Sequence, residues 1–259
     1  MNELKNKIGV ADFGVTVWDG GLYSVEDRIR VAKESGLNGV EVLRGRNLTD
    51  MVYKAAAFRK QGMEFVTCNV ADDPESTFRC AAAFGCEYVW ISCGRSTRDV
   101  PYDVYIRRAN HFIKCAADFG VKCALHNHLG TVIESEEELH RFMADCPDAM
   151  LLLDIGHLAA MEGDVIGVID RYFDRISAIH LKDVLIKDPS IPMGAENWWN
   201  RLEFREFGAG NIGLDIPAII KHLHRTGFSK WLLIEQDTHK NDPVVDLSHS
   251  VSVMRNCEL

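Results

Sequence analysis

The chain alternates from end to end between short β-rich apolar runs and longer amphipathic segments. The predicted strands are Ile8–Phe13, Gly39–Leu43, Glu64–Val70, Tyr88–Cys93, Lys122–His128, Met150–Ile155, Ile176–Asp183 and Lys230–Asp237. The predicted helices are Ser24–Ser35, Leu48–Gln61, Glu75–Phe84, Tyr102–Phe119, Ser135–Asp145, Val165–Phe173, Ile216–Thr226 and Val244–Met254. Near-continuous apolar strands separated by helices are typical of parallel sheets covered on the outside. Eight such units predict a (β/α)8 barrel, the TIM-barrel architecture.

The competing architecture is an open, doubly wound sheet. That fold often carries a glycine-rich GxGxxG turn after its first strand, whereas Gly14-Val-Thr-Val-Trp-Asp stands there in this chain. No Pro/Ser-rich linker divides the 259 residues, so we predict one barrel domain over residues 1–259. The segment Val184–Asn211 is too long for a plain connection and predicts a long loop after the seventh strand. Such loops are commonly lids or pocket walls.

Charge and composition narrow the classes of partner. The formal net charge is −9 and the Lys and Arg residues are scattered among acids, which argues against a nucleic-acid partner. The N-terminus lacks the apolar core of a signal peptide, and no apolar run has the length of a membrane helix. Eight cysteines occur without a CxxC pair, as expected for reduced thiols. We therefore expect a cytoplasmic protein with a small-molecule partner and no membrane partner, and leave a homo-oligomer open.

Polar side chains stand near the ends of four consecutive predicted strands. Catalytic groups of a barrel lie at the carboxyl ends of its strands, and side chains alternate between inward and outward. The candidates at these ends are His126, Asp154, His180 and Glu235. Two imidazoles and two carboxylates suit one divalent metal ion, with Mn, Co, Mg, Zn and Fe as candidates. Burying these groups together without a cation would be unfavourable, so the pattern predicts a metal centre.

Other residues near the strand ends allow more than one interpretation. His128, on the same face of the fifth strand as His126, is a catalytic base, a donor to a metal ligand or a satisfied core histidine. Lys182 contacts substrate oxygens or pairs with Glu41 or another carboxylate, since a charge in a barrel mouth is costly to bury. Trp198 and Trp199 either stack on a sugar face, anchor the long loop or fill an oligomer interface.

Several stretches of the chain match one known superfamily. They are GVEVLRG, HNHLGTVIESEEELHRFM, LLLDIGHL, IHLKDV and EFGAGNIGLDIPAIIKHLHRTGFSKWLLIEQD. Together they resemble the xylose-isomerase-like barrels, which include sugar isomerases, sugar epimerases and inosose dehydratase. The most specific motifs are D-x-G-H, H-x-K-D and W-L-x-x-E. The resemblance implies that Asp154, His180 and Glu235 bind a divalent metal and that His157 contacts the substrate.

The fifth strand distinguishes branches of that superfamily. Ketose 3-epimerases carry a glutamate where this chain has His126. The histidine-rich H-x-H, followed by G-T and an acidic helix start, is similar to inosose dehydratases, as is the IEQD of the last strand. The resemblance therefore implies the dehydratase branch and a role in inositol catabolism. The segment Val184–Asn211 has no counterpart there, so the substrate stays open.

The leading hypothesis is a metal-dependent lyase that dehydrates an unphosphorylated keto-sugar or keto-inositol through an enediolate. Elimination of a larger group from a 3-oxo-glycoside is a variant. Glu235, His128 or Glu41 would remove the α-proton, and His157 or Lys182 would help the hydroxyl leave. No glycine-rich turn or arginine cluster near the last two strands suggests a phosphorylated sugar. The alternatives are a metal-dependent sugar isomerase or epimerase, a non-catalytic sugar-binding subunit and, against the acidic charge, an endonuclease for abasic DNA.

Overall fold

Eight parallel strands form a nearly closed barrel in the computed structural model, which describes residues 4–11, 24–71, 73–237 and 240–257. The barrel strands are β1 Ile8–Ala11, β2 Gly39–Gly45, β3 Glu64–Val70, β4 Val89–Trp90, β5 Cys123–His126, β6 Met150–Asp154, β7 Ile176–Leu181 and β10 Trp231–Glu235. Their spatial order is β3-β2-β1-β10-β7-β6-β5-β4. Across the remaining seam, the Glu87 N–H donates to the Val66 carbonyl at 3.0 Å. The predicted (β/α)8 barrel is confirmed.

Helices connect the strands. They are α1 Val25–Glu34, α2 Leu48–Lys60, α3 Pro74–Phe84, α4 Tyr102–Ala117, α5 Glu136–Asp145, α6 Ile155–Ala160, α7 Val165–Tyr172, α8 Trp198–Arg201, α9 Ile216–Arg225 and α10 Pro243–Arg255. Each of the eight predicted helices is confirmed to within two residues at either end. None of these described helices has both the length and the apolar character needed to cross a bilayer. All eight cysteines are free.

The apolar core has two layers. One lies between the strands and the surrounding helices, and the other fills the barrel with Val66, Tyr88, Ala124, Leu152, Ala178, Trp231 and Leu233. Gly9 faces this inner layer, where a Cβ atom would lie 2.8 Å from Leu233 Cδ2 and 3.2 Å from the Trp231 ring. A glycine on β1 therefore leaves the room that the large side chains of β10 occupy. The inner layer closes the barrel below its carboxyl end.

The predicted strands differ from the observed ones where the chain enters loops. Beyond β1, Asp12 and Phe13 lie outside the described residues. The fifth strand ends at His126 because the next residue, Asn127, bonds the backbone of Asp154 through its side chain instead of continuing the ladder. Asn127 Oδ1 accepts a hydrogen bond from the Asp154 N–H, and Asn127 Nδ2 donates one to the Asp154 carbonyl; both are 2.9 Å long.

The segment predicted as a long loop contains an antiparallel β-hairpin beside the barrel mouth. The seventh strand stops at Leu181, and β8 Asp183–Ile186 then pairs antiparallel with β9 Leu202–Arg205. The short helix α8 lies between these two strands. The Asp183 carboxylate accepts the N–H groups of Gly208 and Gly210 at 2.9 and 3.0 Å, so it ties the end of the hairpin to its start. That residues 1–259 form a single domain stays a prediction.

Among the residues that the structure describes, one non-glycine residue has a left-handed backbone conformation. Glu162 follows α6 with φ of 60° and is exposed. Glycine is favoured at this position after a helix because it has no Cβ to crowd the backbone. We expect Glu162→Gly to raise the free energy of unfolding by about 0.5–1 kcal/mol in urea denaturation. The control is Glu137→Gly inside α5, which should lower stability by about 1 kcal/mol; a loss of stability in both variants would contradict the prediction.

Candidate metal centre

Four polar side chains from different strands meet at the carboxyl end of the barrel. His126, Asp154, His180 and Glu235 come from β5, β6, β7 and β10, and one potential ligand atom from each lies within 4.8 Å of the other three. Asp154 and His180 are fully buried, Glu235 is nearly so, and His126 is partly exposed. Asp154 is paired in register with His180. The structure thus brings together the four residues that strand periodicity placed on one face.

The donor atoms of this cluster suit a divalent cation. His180 Nδ1 and Glu235 Oε2 are buried and lie 2.6 Å apart. Asp154 Oδ2 lies 3.5 Å from the same His180 nitrogen and 3.2 Å from His126 Nε2. Imidazole nitrogens and carboxylate oxygens aimed at one point are ligands that Zn and Mn accept.

A buried lysine lies between the two carboxylates of the cluster. Lys182 Nζ is 3.0 Å from Asp154 Oδ2 and 2.8 Å from Glu235 Oε2. It therefore pairs with these neighbours, and Glu41 bonds other groups. Burial opposes the ionisation of Glu235, but the charges of Lys182 and His180 outweigh it and lower the pKa of Glu235 to about 2. Both carboxylates are held ionised.

The glycine of the D-x-G-H motif makes room for this lysine. Gly156 lies in α6, where a Cβ atom would approach Lys182 Cγ to 2.1 Å and Cδ to 2.8 Å. Real Cβ atoms do not make contacts this short, so a larger residue at position 156 would displace the lysine stem. The motifs D-x-G-H and H-x-K-D are thus parts of one packing unit.

Glu41 lies behind the cluster and orients one ligand. Its Oε1 accepts hydrogen bonds from Tyr88 OH and Trp90 Nε1, both at 2.8 Å. Its Oε2 is 2.8 Å from His180 Nε2. A carboxylate on one imidazole nitrogen directs the other nitrogen toward a metal and fixes the tautomer. Since both oxygens of Glu41 are engaged and the residue is buried, the geometry favours a positioning role over the role of base.

We expect Glu41→Gln to weaken divalent-metal affinity roughly 10- to 100-fold. The amide keeps the shape of the carboxylate but loses the charge that holds the Nε2 proton of His180. Competition with a fluorescent chelator would measure the affinity. Tyr88→Phe, which removes one hydrogen bond from Glu41 and leaves its charge, should have a smaller effect. Equal metal affinity in Glu41→Gln and the unaltered protein would show that Glu41 does not orient His180.

His128 lies just past β5. Its Nδ1 is hydrogen-bonded, and its Nε2 has no hydrogen bond to another described residue. Its Nδ1 is 2.6 Å from the carbonyl oxygen of Leu129, so the ring donates its proton there and Nε2 carries the lone pair. Burial, reinforced by the charges of His126 and Lys182, lowers the pKa of His128 to about 4. A neutral imidazole with a free lone pair beside the cluster is able to accept a proton.

His157 forms the wall behind His128. Its ring lies 3.8 Å from the His128 ring and 4.6 Å from the Phe204 ring, measured between centroids. Its Nε2 is 3.3 Å from Lys182 Nζ, and the side chain is fully buried. Burial, together with the charges of His128 and Lys182, keeps the pKa of His157 well below its usual range. The substrate contact implied for His157 stays a prediction.

The two tryptophans of the hairpin segment occupy different environments. The Trp198 ring lies 5.7 Å from the His128 ring and 6.0 Å from the His157 ring. Trp198 therefore forms part of the wall of the site. Trp199 is 57% exposed and is not among the residues that contact the cluster. Gly130, with φ of 73°, allows the close approach of Trp198, because a Cβ atom there would lie 3.0 Å from the indole Nε1.

Sequence reasoning did not single out the residues that support the cluster. Asn127 fixes the Asp154 backbone, while Tyr88 and Trp90 hold Glu41. The position of Asn127 between two inward-facing histidines was a sequence signal for its supporting role. Tyr88 and Trp90 lie two residues apart at β4 and therefore point to the same side, which was a weaker signal. Their partners lie on strands distant in sequence, so the contacts themselves were not predictable.

The fold and the cluster define a class of protein, the TIM barrels whose strand ends assemble a histidine–carboxylate centre. The sequence signature described as "Xylose isomerase-like TIM barrel" matches residues 29–257. The chain therefore belongs to the xylose isomerase-like TIM-barrel family, as its motifs indicated.

Curated relatives of known name match about half of the chain. The rhizopine catabolism protein MocC of Rhizobium meliloti is 31% identical over 149 residues, which are 56% of this chain and 45% of that protein. Inosose dehydratase of Lactiplantibacillus plantarum is 30% identical over 152 residues, which are 56% of this chain and 51% of that enzyme. The chain thus spans about half the length of these relatives.

Solved structures share the barrel over nearly its whole length. The probable 3-DHS dehydratase AsbF from Bacillus anthracis has a TM-score of 0.72 at 16% identity, covering 96% of this chain and 99% of that one. The 3-keto-D-glucoside 4-epimerase YcjR from E. coli has a TM-score of 0.71 at 17% identity, covering 98% and 100%. An IolI protein with a bound zinc atom has a TM-score of 0.70 at 16% identity, covering 97% and 99%. These likenesses show the fold.

Proposed function

We propose that this chain is a divalent-metal-dependent dehydratase that acts on an unphosphorylated keto-sugar or keto-inositol in the cytoplasm. The observation that carries the proposal is the cluster of His126, Asp154, His180 and Glu235, whose ligand atoms lie within 4.8 Å of one another. The similarity to inosose dehydratase, at 30% identity, supports the reaction class. The metal stays open among Mn, Co, Mg, Zn and Fe, and a homo-oligomer stays open as well.

The four residues of the cluster would hold the metal. When bound, a divalent ion supplies Lewis-acid stabilisation of the negative charge that develops on a ketone oxygen. Glu41 keeps His180 oriented toward the ion, and Lys182 balances the charge of Asp154 and Glu235.

Among the candidate bases, His128 is best placed to remove the α-proton. Glu235 is paired with Lys182 and His180, and both oxygens of Glu41 are occupied. His128 Nε2 would accept the α-proton, and the C–H electron pair would form the enediolate. The enediolate would then re-form the ketone as the β-carbon–oxygen bond breaks and the new carbon–carbon double bond forms. Because the pKa of His128 is lowered to about 4, its protonated ring is a strong acid. The same ring can then return the proton to the β-hydroxyl, which leaves as water.

The alternative is a metal-dependent isomerase or epimerase, which shares the removal of the α-proton. The barrel likeness to 3-keto-D-glucoside 4-epimerase is the observation that keeps this alternative. In the isomerase or epimerase reaction the proton returns to a carbon atom of the substrate, whereas in elimination it leaves with the hydroxyl group as water. A non-catalytic sugar-binding subunit would bind such ligands without any proton exchange.

Incubation of metal-loaded protein with unphosphorylated keto-inositols and keto-sugars in deuterated water tests the proposal. Elemental analysis should first show a stoichiometric divalent metal. Loss of water with formation of an unsaturated ketone supports the dehydratase, and loss of a larger β-substituent supports the 3-oxo-glycoside variant. Deuterium uptake without loss would establish the isomerase or epimerase instead. Binding without exchange would indicate the sugar-binding subunit, and preparations that never retain metal would refute the metal centre.

A further inference from the structure

A second polar pocket opens on the far side of Trp90 from the metal centre. It has a volume of about 340 Å³ and lies among the carboxyl ends of β2, β3 and β4. The polar side chains that line it include Arg44, Thr67, Asn69 and Ser92. None of these four acts in the proposed elimination. The pocket therefore needs an explanation of its own.

Arg44 presents an uncommitted cation to this pocket. Its guanidinium carbon lies 5.8 Å from the centroid of the Trp90 ring, and the residue is exposed. Within the described residues it has no carboxylate partner. Some other surface arginines are paired along their helices or loops, as Arg46 is with Asp50 and Arg79 with Glu75. A guanidinium above an indole and without a carboxylate partner is suited to bind an anion.

A buried hydroxyl in the same pocket also lacks a partner. Thr67 is 1% exposed, and its Oγ1 makes no hydrogen bond to any described residue. Buried hydroxyls normally have a partner. The side chains of Asn69 and Ser92 likewise make no hydrogen bond within the described ranges; Asn69 is partly buried and Ser92 is exposed. A cation accompanied by neutral donors is the composition of a site for a charged, hydrogen-bonding substituent.

The Trp90 indole lies close both to the metal ligands and to Arg44 of the pocket. The Trp90 ring is 5.0 Å from the His126 ring and 6.3 Å from the His180 ring, between centroids. Trp90 Nε1 donates to Glu41, so the indole is fixed in place between the two sites. A substrate ring held beside His126 would therefore extend a substituent past the edge of Trp90 toward Arg44.

We propose that this pocket binds a carboxylate group of the substrate, which would then be a keto-acid of the sugar or cyclitol class. The proposal rests on the proposed function, because it assumes that a ring of this class occupies the metal centre. One guanidinium balances one negative charge. The carboxylate of Asp73 also lines the pocket, and it would repel a phosphate dianion more than a carboxylate. Since Asp73 offsets the charge of Arg44, a monoanion is repelled less than a dianion, and the guanidinium would hold it through direct hydrogen bonds.

Matched sugars that do not react test the pocket without turnover. Titration calorimetry would compare D-glucuronate, D-glucose and glucose 6-phosphate on the metal-loaded full chain. These ligands differ at one substituent, which is a carboxylate, a hydroxymethyl or a phosphate group. D-Glucuronate should bind at least about tenfold more tightly than D-glucose. Arg44→Gln should remove this preference, whereas Arg46→Gln, on a neighbouring exposed arginine, should retain it.

Each outcome of the titration decides the proposal. Equal binding of D-glucuronate and D-glucose, an unchanged preference in Arg44→Gln or absence of binding by all three ligands would overturn it. Tightest binding of glucose 6-phosphate would replace the carboxylate with a phosphate and so overturn the assigned class. The elimination assay and the titration together distinguish failure of the pocket proposal from failure of the proposed function. Elimination from neutral keto-inositols without a carboxylate preference leaves the function standing and the pocket unsupported, while an Arg44-dependent preference without elimination supports only the pocket.

Discussion

Replacing Asp154 by asparagine is expected to abolish stoichiometric metal binding and lower divalent-metal affinity more than about a hundredfold, beyond the usual effect of a supporting residue. Asp154 has two separate tasks. Its Oδ1 caps α6 by accepting the His157 N–H at 2.9 Å, and its Oδ2 faces His126 and His180. An asparagine can keep the first contact through its carbonyl oxygen while the second oxygen becomes an amide. The helix should therefore persist while a ligand is lost.

Asp164→Asn is a matched control for this substitution. Asp164 caps α7 by accepting the Gly167 N–H at 3.0 Å, and it lies outside the cluster. Elemental analysis and chelator competition should show normal metal content in this variant and none in Asp154→Asn. Circular dichroism should show both proteins folded. Full metal occupancy in a folded Asp154→Asn protein would remove Asp154 from the ligand set.

The second large effect concerns turnover with the metal retained. His128→Gln is expected to lower kcat for elimination roughly 10²- to 10⁴-fold, because the group that accepts and returns the proton is lost. The glutamine can still donate to the Leu129 carbonyl that now receives the Nδ1 proton. Metal content should stay at the level of the unaltered protein, since His128 is outside the four-residue cluster. Steady-state kinetics and elemental analysis measure the two properties separately.

His140→Gln supplies the comparison for this variant. His140 lies in α5 and bonds the Tyr172 hydroxyl at 2.9 Å and Glu136 at 3.1 Å, away from the barrel mouth. Its replacement should leave kcat within about twofold of the original value, because it touches none of the reacting groups. Near-normal turnover of metal-replete His128→Gln would assign the proton transfer to another residue and leave His128 a wall residue.

The four-residue cluster was predictable because it depends on local periodicity. Side chains alternate along a strand, and the carboxyl ends of parallel strands meet at one end of a barrel. His126, Asp154, His180 and Glu235 each end or nearly end an apolar run, so their meeting followed once the barrel was predicted. His128 was placed correctly beside His126, although β5 ends before it.

The partners of Lys182 and Glu41 were not predictable in the same way. Both are charged residues near strand ends, and either could have faced the other. In the structure Lys182 pairs with Asp154 and Glu235, while Glu41 is bound by Tyr88, Trp90 and His180. The distances between side chains across the barrel decide which pairs form. The spacing of residues along a single strand does not determine these distances.

The sequence by itself determined the number and order of the eight barrel strands and of the eight long helices, the barrel and the set of groups at its carboxyl end. These follow from periodicities of two and 3.6 residues, which are properties of neighbouring residues. Only the tertiary structure decided that Val184–Asn211 forms a hairpin segment that brings Trp198 to the site and leaves Trp199 exposed. It also decided that Trp90 separates the metal centre from the Arg44 pocket. These arrangements depend on packing between segments distant in sequence, where small shifts in distance change which groups meet.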